Sequence, residues 1–271
     1  MILAKGMTTT QLSDGTRVFC LRPNEAKVLD SHIEGYMNHG IQVRPGDTVF
    51  DVGANIGLFG VRMAQRCSGD IRLFAFEPIP AIRACTIKNL ELWERVTVLP
   101  FGVSSEHGEA TFTYYPNAPS LSTSKNEDWD HQDGAFEEAV AGNTRNAPMW
   151  YARWVPGFLA GPIANYLRKD TVEVHCELVT LSEVIDEHNV DKIDLLKIDC
   201  EGAEEDSLLG LRPDHWSLID QAVVEVHDID GRLERIVAML TENGLTELVI
   251  EKEDALQNTL LSNVYAHRPR S

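Results

Sequence analysis

Positive charge is what this chain has least of relative to its opposite. Its 271 residues include 24 Lys and Arg against 42 Asp and Glu, a formal net charge of −18. A surface this acidic repels phosphate backbones, and no Lys/Arg cluster offsets it, so nucleic acid is not expected as a partner. Cysteine is also sparse. Cys20, Cys67, Cys85, Cys176 and Cys200 are odd in number, widely spaced and without a C-x-x-C pair. Neither a disulfide framework nor a zinc site is suggested, and reduced thiols are expected. Cys200 reads as a packing residue. Long apolar runs are missing too. Met1 to Thr10 has no signal-peptide core, and no window reaches the roughly 18 uncharged apolar residues of a membrane span. The nearest candidate, Val155 to Leu167, is short and broken by Pro156, Gly157, Gly161 and Pro162. A soluble, cytoplasmic protein is expected.

What is present is ample apolar material, 43% of the residues, enough for one large domain carrying an insertion. Thr8 to Leu12 and Thr16 to Leu21, joined by Ser13-Asp14-Gly15, predict a β-hairpin, because Asp-Gly supplies the positive backbone angles of its turn. Asn24 to His39 reads as a helix stopped by Gly40. From Asp47 onward short apolar strands alternate with helices. Thr48 to Val52, Ile71 to Phe76 and Val96 to Phe101 are strands; Ile56 to Arg66 and Pro80 to Leu92 are helices. Ile193 to Ile198 and Gln221 to Val226 are strands, followed by the helix Gly231 to Asn243. Strands this apolar between helices indicate a parallel sheet covered on both faces. Thr246 to Glu251 and Thr259 to Tyr265 read as an antiparallel pair closing one edge.

The expected organisation is a single domain over residues 1–271. Residues 1–45 form an N-terminal hairpin and helix, 46–104 and 190–267 the core, and 105–189 an insertion. That insertion opens with a strand, Glu109 to Tyr115, and continues as a polar loop to Asn146. Pro148 to Leu167 is rich in aromatics (Trp150, Tyr151, Trp154, Phe158, Tyr166) and is expected to form a lid over a pocket.

In an open α/β sheet, ligands sit beyond the carboxyl ends of the strands at the switch in strand order. The first core strand ends in Asp51-Val52-Gly53-Ala54-Asn55-Ile56-Gly57, a glycine-containing turn opening into a helix. The next ends in Phe76-Glu77-Pro78, where an ionised carboxylate can accept both hydroxyls of a ribose. Nicotinamide and flavin enzymes share this layout, but with G-x-G-x-x-G and a diphosphate at the helix start. Here Asp51 precedes the glycine and Asn55 stands where the second glycine would be. A carboxylate there repels a diphosphate and suits the ammonium and sulfonium of S-adenosylmethionine. The cofactor contacts expected are Asp51, Gly53, Ala54, Asn55, Gly57, Glu77, Pro78 and Asp199, with Gly102 and Val103 flanking the adenine.

Three stretches together carry a family resemblance: V-F-D-V-G-A-N-I-G at Val49 to Gly57, F-E-P at Phe76 to Pro78, and L-L-K-I-D-C-E-G-A-E at Leu195 to Glu204. The chain resembles the FkbM-family methyltransferases, over about residues 24–110 and 178–267. Its lead-in, Asn24 to Ile41, is also similar to methyltransferase domains embedded in polyketide and nonribosomal peptide synthases. The resemblance implies an α/β Rossmann-like class I methyltransferase fold, a seven-stranded, mostly parallel sheet with an antiparallel edge strand. It also implies methylation of hydroxyl groups, often on carrier-bound chains, with S-adenosylhomocysteine as the product.

Transfer to an alcohol needs the acceptor oxygen held in line with the methyl group, and gains from a general base. His227 is the first candidate, its ordinary pKa lying near neutrality, with Asp228 or Glu225 orienting its ring; a solvated rim histidine is the alternative. Asp199 is expected to face the methionine portion or the acceptor. Glu201, the third catalytic candidate, and Glu204 read as carboxylates at a helix start, either of which Lys197 could pair. These acids permit a magnesium ion, although hard cations need several convergent oxygens, and no metal ligands are assigned. The acceptor is expected to be a secondary-metabolite hydroxyl, free or carrier-bound. A sugar or lipid hydroxyl, a nitrogen, a non-catalytic cofactor-binding module and a nicotinamide oxidoreductase are the other readings. Oligomeric state is not legible.

Overall fold

The computed structural model describes residues 6–125, 162, 166–252 and 261–269. The N-terminal hairpin is β1 (Thr8–Gln11) and β2 (Arg17–Cys20), paired antiparallel across the Asp14-Gly15 turn. Helix α1 (Pro23–His32) follows. The continuous helix expected to His39 instead tightens into a 3₁₀ turn over Ile33–Met37. That change of pitch turns Tyr36 toward the sheet.

The core alternates β3 (Thr48–Val52), α2 (Leu58–Arg66), β4 (Arg72–Phe76), α3 (Pro80–Leu90) and β5 (Val96–Leu99). After an excursion come β9 (Leu195–Ile198), α5 (Glu204–Leu209), β10 (Gln221–His227), α6 (Arg232–Glu242), β11 (Glu247–Glu251) and β12 (Leu261–His267). The seven-stranded sheet runs β11-β12-β10-β9-β3-β4-β5. Neighbours from β10 to β5 pair parallel, and only β12 runs against its partners. The antiparallel strand expected at the edge thus lies one place in, covered by β11. Strand order reverses between β3 and β9, which puts the switch point between Val52 and Ile198.

Alternation along β3 sorts side chains to two buried layers. Phe50 and Val52 face one, with Phe74, Phe76, Leu196, Ile198 and α6 residues Ile236 and Leu240. Val49 faces the other, with Leu73, Ala75, the hairpin and α1 to α3. Asp51 shares the Val49 face, since side chains two apart on a strand point the same way.

The excursion holds more regular structure than its polarity suggests. β6 (Gly102–Val103), β7 (Gly108–Tyr114) and β8 (Val172–Val179) form a second sheet in the order β6-β8-β7. Helix α4 (Leu181–Glu187) then packs Leu181, Val184 and Ile185 into the Phe50 layer, its start closed by a Thr180–Glu183 capping box. Residues 172–187, read from sequence as part of the insertion, are a strand and a core helix. The aromatic stretch over 148–167 lies almost wholly outside the described residues. Among the described residues no helix is long and apolar enough to cross a membrane.

Candidate active site

A cavity of about 310 Å³ opens at the switch point. Gly53 ends β3 there with φ of 76°, and a Cβ on it would lie 1.7 Å from the Asp199 carbonyl oxygen. Only glycine allows the turns after β3 and β9 to approach so closely. Ala54 and Asn55 continue the wall. Asn55 holds φ of 51° and its Oδ1 accepts from the Ile56 N–H at 2.7 Å. Gly57 does not line the cavity. It starts α2 with φ of 82°, and a Cβ on it would press on Thr86 at 3.0 Å. Its role is helix packing rather than the ligand contact expected.

Glu77 ends β4, is buried, and lines the cavity with Pro78. Its Oε1 accepts from the Ile79 N–H at 2.9 Å, and the Asn55 backbone donates to it as well. Burial outweighs these bonds and raises its pKa to about 8. Phe101, Gly102, Val103 and Ser104 line the adjoining wall, as expected from their place after β5.

The electrostatics at the other end differ from those expected. Asp51 does not reach the cavity. It sits in register with Lys197 on β9, fully shielded, with Lys197 Nζ 3.0 Å from its Oδ1. Lys197 also donates to the Gly53 carbonyl at 3.0 Å and lies 3.5 Å from Asp199 Oδ2. It therefore pairs with Asp51 and Asp199, not with Glu201 or Glu204, and neutralises the carboxylate assigned above to the cofactor. The carboxyl groups lining that end of the cavity are instead Asp199, Glu201 and Glu225. Tyr36 bends over them, its hydroxyl 2.8 Å from Asp199 Oδ2 and 3.3 Å from Glu225 Oε2. No sequence signal marked Tyr36, which depends on the 3₁₀ turn.

His227 ends β10 and lines the cavity, but as a clamped cation. Its Nδ1 is 3.0 Å from Glu204 Oε1, and its Nε2 is 3.4 Å from Glu201 Oε2. Burial disfavours the charged ring, yet the two carboxylates prevail and hold its pKa well above the usual imidazole range. A ring so held favours the imidazolium over the free base expected of it. Its orienting partners are Glu204 and Glu201, not Asp228 or Glu225. Asp228 instead accepts from the Leu233 N–H at the start of α6. Glu204 is fully buried and also accepts from the Gly202 N–H at 2.7 Å. Glu201 itself stands at φ of 53°. Cys200 lines the cavity, but burial and then Glu204 push its thiol well above the usual range, which removes it as a nucleophile.

The remaining wall, Pro119 to Ser122 with Ser124 and Lys125, comes from the loop after β7. Ser120 donates its N–H and hydroxyl to Glu25 Oε1 at 2.8 and 2.6 Å, and Thr123 donates to the Glu201 carbonyl at 2.6 Å. The N-terminal helix thus sets the shape of the far side of the cavity. Among the described residues no group of three or more His, Cys, Asp or Glu is arranged to hold a metal ion. The cavity has a carboxyl able to accept from a ribose at Glu77 and carboxyl groups suited to a cationic group near Asp199.

The family described as methyltransferase FkbM domain matches residues 51–245. Among curated relatives, the 31-O-demethyl-FK506 methyltransferase FkbM of Streptomyces tacrolimicus is 35% identical over 269 residues, covering 96% of each chain. The AMB antimetabolite synthetase AmbE of Pseudomonas aeruginosa is 35% identical over 277 residues; the match takes in 95% of this chain and 12% of that one. A solved methyltransferase FkbM from Methylobacillus flagellatus shares the fold at a TM-score of 0.50 and 14% identity, over 86% of this chain and 46% of that one. The chain belongs to the FkbM methyltransferase family and is an S-adenosylmethionine-dependent methyltransferase of class I fold.

Proposed function

We propose that the protein methylates a hydroxyl oxygen of a secondary metabolite, free or carrier-bound as an acyl or peptidyl intermediate. The observation that carries this reading is the cavity's polarity: Glu77 at one end, and Asp199, Glu201 and His227 at the other. Oxygen is favoured over nitrogen by the relative whose name specifies a 31-O-demethyl substrate. A carrier-bound acceptor is favoured by the match to one small segment of a much longer synthetase.

When bound, S-adenosylmethionine would supply a methyl group on a sulfonium sulfur, with a neutral thioether as leaving group. Gly53, Ala54 and Asn55 would bring backbone close to it, and Glu77 would accept from the ribose hydroxyls. Gly102 and Val103 would flank the adenine, and Asp199 would face the methionine portion. On the acceptor side Glu204 fixes the imidazolium of His227, and His227 in turn orients the Glu201 carboxylate. Glu201 then takes the proton that the acceptor hydroxyl loses as its oxygen is methylated. His227 thus acts through Glu201 as a positioning residue. The net charge of −18 disfavours nucleic acid as acceptor.

Calorimetric titration with S-adenosylhomocysteine and with NAD tests the cofactor half. Binding of the former alone, lost in Glu77→Ala, is expected; no binding, or an unaffected Glu77→Ala variant, removes the reading. Mass spectrometry after incubation with S-adenosylmethionine tests the acceptor half, using hydroxyacyl carrier proteins and hydroxylated small molecules. Methylation confined to amines would overturn the oxygen assignment.

A further inference from the structure

Tyr36 carries one hydroxyl hydrogen and stands within hydrogen-bond distance of two carboxyl groups, Asp199 at 2.8 Å and Glu225 at 3.3 Å. The phenol donates to one of them. If both were ionised, its oxygen would face the other across lone pairs alone, with no hydrogen between. The surroundings relieve this only in part. Lys197 and His227 favour a charge on Glu225 from a distance, but their close contacts are with Asp51 and Asp199 and with Glu201 and Glu204. From β12, the residue in register with Glu225 is Asn263, whose buried Oδ1 has no hydrogen-bond partner. A proton on Glu225 satisfies the geometry: Glu225 donates to Tyr36, and Tyr36 donates to Asp199. The same direction follows from burial and then the nearby Asp199, which raise the pKa of Glu225 well above the carboxylate range against the opposing pull of His227 and Lys197.

We infer that Glu225 is held as a neutral acid by Tyr36 and releases that proton when the amino-acid ammonium of the methyl donor docks beside Asp199. The inference rests on the methyltransferase reading above. The Glu225 carboxyl becomes a carboxylate, the proton passes to solvent, and the ammonium stays whole. Glu225 and Tyr36 are then ligand-binding residues that the strand-end motifs do not reveal. The exchange keeps an ionised pair from being buried without its counter-charge.

Calorimetry in buffers of different ionisation enthalpy counts the protons. The probes are S-adenosylhomocysteine and 5′-methylthioadenosine, which keeps the adenosine and thioether but lacks the amino acid. Any proton leaving Glu77 is common to both and cancels. S-adenosylhomocysteine is expected to release about one proton more than methylthioadenosine at pH near 7. In Glu225→Gln that difference vanishes and S-adenosylhomocysteine affinity falls about tenfold or more, with methylthioadenosine unchanged. Equal proton counts for the two bound probes overturn the inference and leave the methyltransferase reading standing. Absence of S-adenosylhomocysteine binding overturns both. Infrared difference spectra of the wild type need no variant: S-adenosylhomocysteine is expected to remove one protonated-carboxyl band more than methylthioadenosine does, and equal losses count against Glu225.

Discussion

Asp51 and Lys197 are cross-strand neighbours on β3 and β9, their charges 3.0 Å apart and shielded from solvent. The pair fastens the two strands that flank the switch point. Lys197→Met leaves the Asp51 charge buried without compensation, and a loss of about 3–5 kcal/mol is expected. Urea unfolding reads it as a lower midpoint at unchanged slope. Adding Asp51→Leu to that variant is expected to restore part of the loss, because the unpaired charge goes with it.

Gly53→Ala places a methyl group 1.7 Å from the Asp199 carbonyl oxygen, a contact that only backbone displacement relieves. Loss of S-adenosylhomocysteine binding and a lowered melting temperature are expected. Gly108→Ala meets nothing within 4 Å and serves as the control, expected to bind and melt like the wild type. Retained binding by Gly53→Ala would show that the close approach is dispensable.

Glu77 links stability and binding to pH in opposite directions. Its pKa is raised to about 8 by burial, from an ordinary 4.5. Below 4.5 folded and unfolded chains both carry the proton. Between 4.5 and about 8 only the folded chain keeps it, so the stability it contributes is lost as pH rises through that window. Glu77→Gln is expected to flatten this slope in chemical denaturation. Methylthioadenosine affinity should instead rise toward pH 8 in the wild type, as the ionised carboxylate becomes available to the ribose.

His227→Gln is expected to keep S-adenosylhomocysteine affinity while turnover falls about 10²-fold. Glu204→Gln removes the stronger of the two contacts that keep the ring charged, so His227 should lose its proton at lower pH and the alkaline limb of turnover should move down. Unchanged turnover in His227→Gln, with acceptor saturating, would take the His227–Glu201 pair out of the chemistry.

The fold was legible because its strands are apolar and its turns carry glycine at the positions that need it. Glu77, Gly53 and the Phe101 to Ser104 segment could be placed from strand ends alone. Asp51 misled for a physical reason: the motif shows a carboxylate beside the turn, but which face of β3 it takes, and that Lys197 lies across from it, depend on register between distant strands. His227 misled similarly, since an ordinary pKa says nothing of two carboxylates brought in by the turn after β9. Tyr36 gave no signal, because a helical pattern through Ile33–Met37 does not announce a 3₁₀ turn. Val172–Val179 escaped notice because Glu173, His175 and Glu177 dilute its apolar content, as suits a strand in a small, half-solvated sheet.

The place of β12 between β10 and β11 bears on how portable this fold is. The family match ends at residue 245, yet β11 and β12 lie beyond it, and Tyr36 lies before its start. A fragment trimmed to the matched span would turn β10, with Glu225 and His227, into a raw edge ready to recruit foreign strands. Anyone transplanting the unit into another assembly should place the seams outside the N-terminal hairpin and after His267.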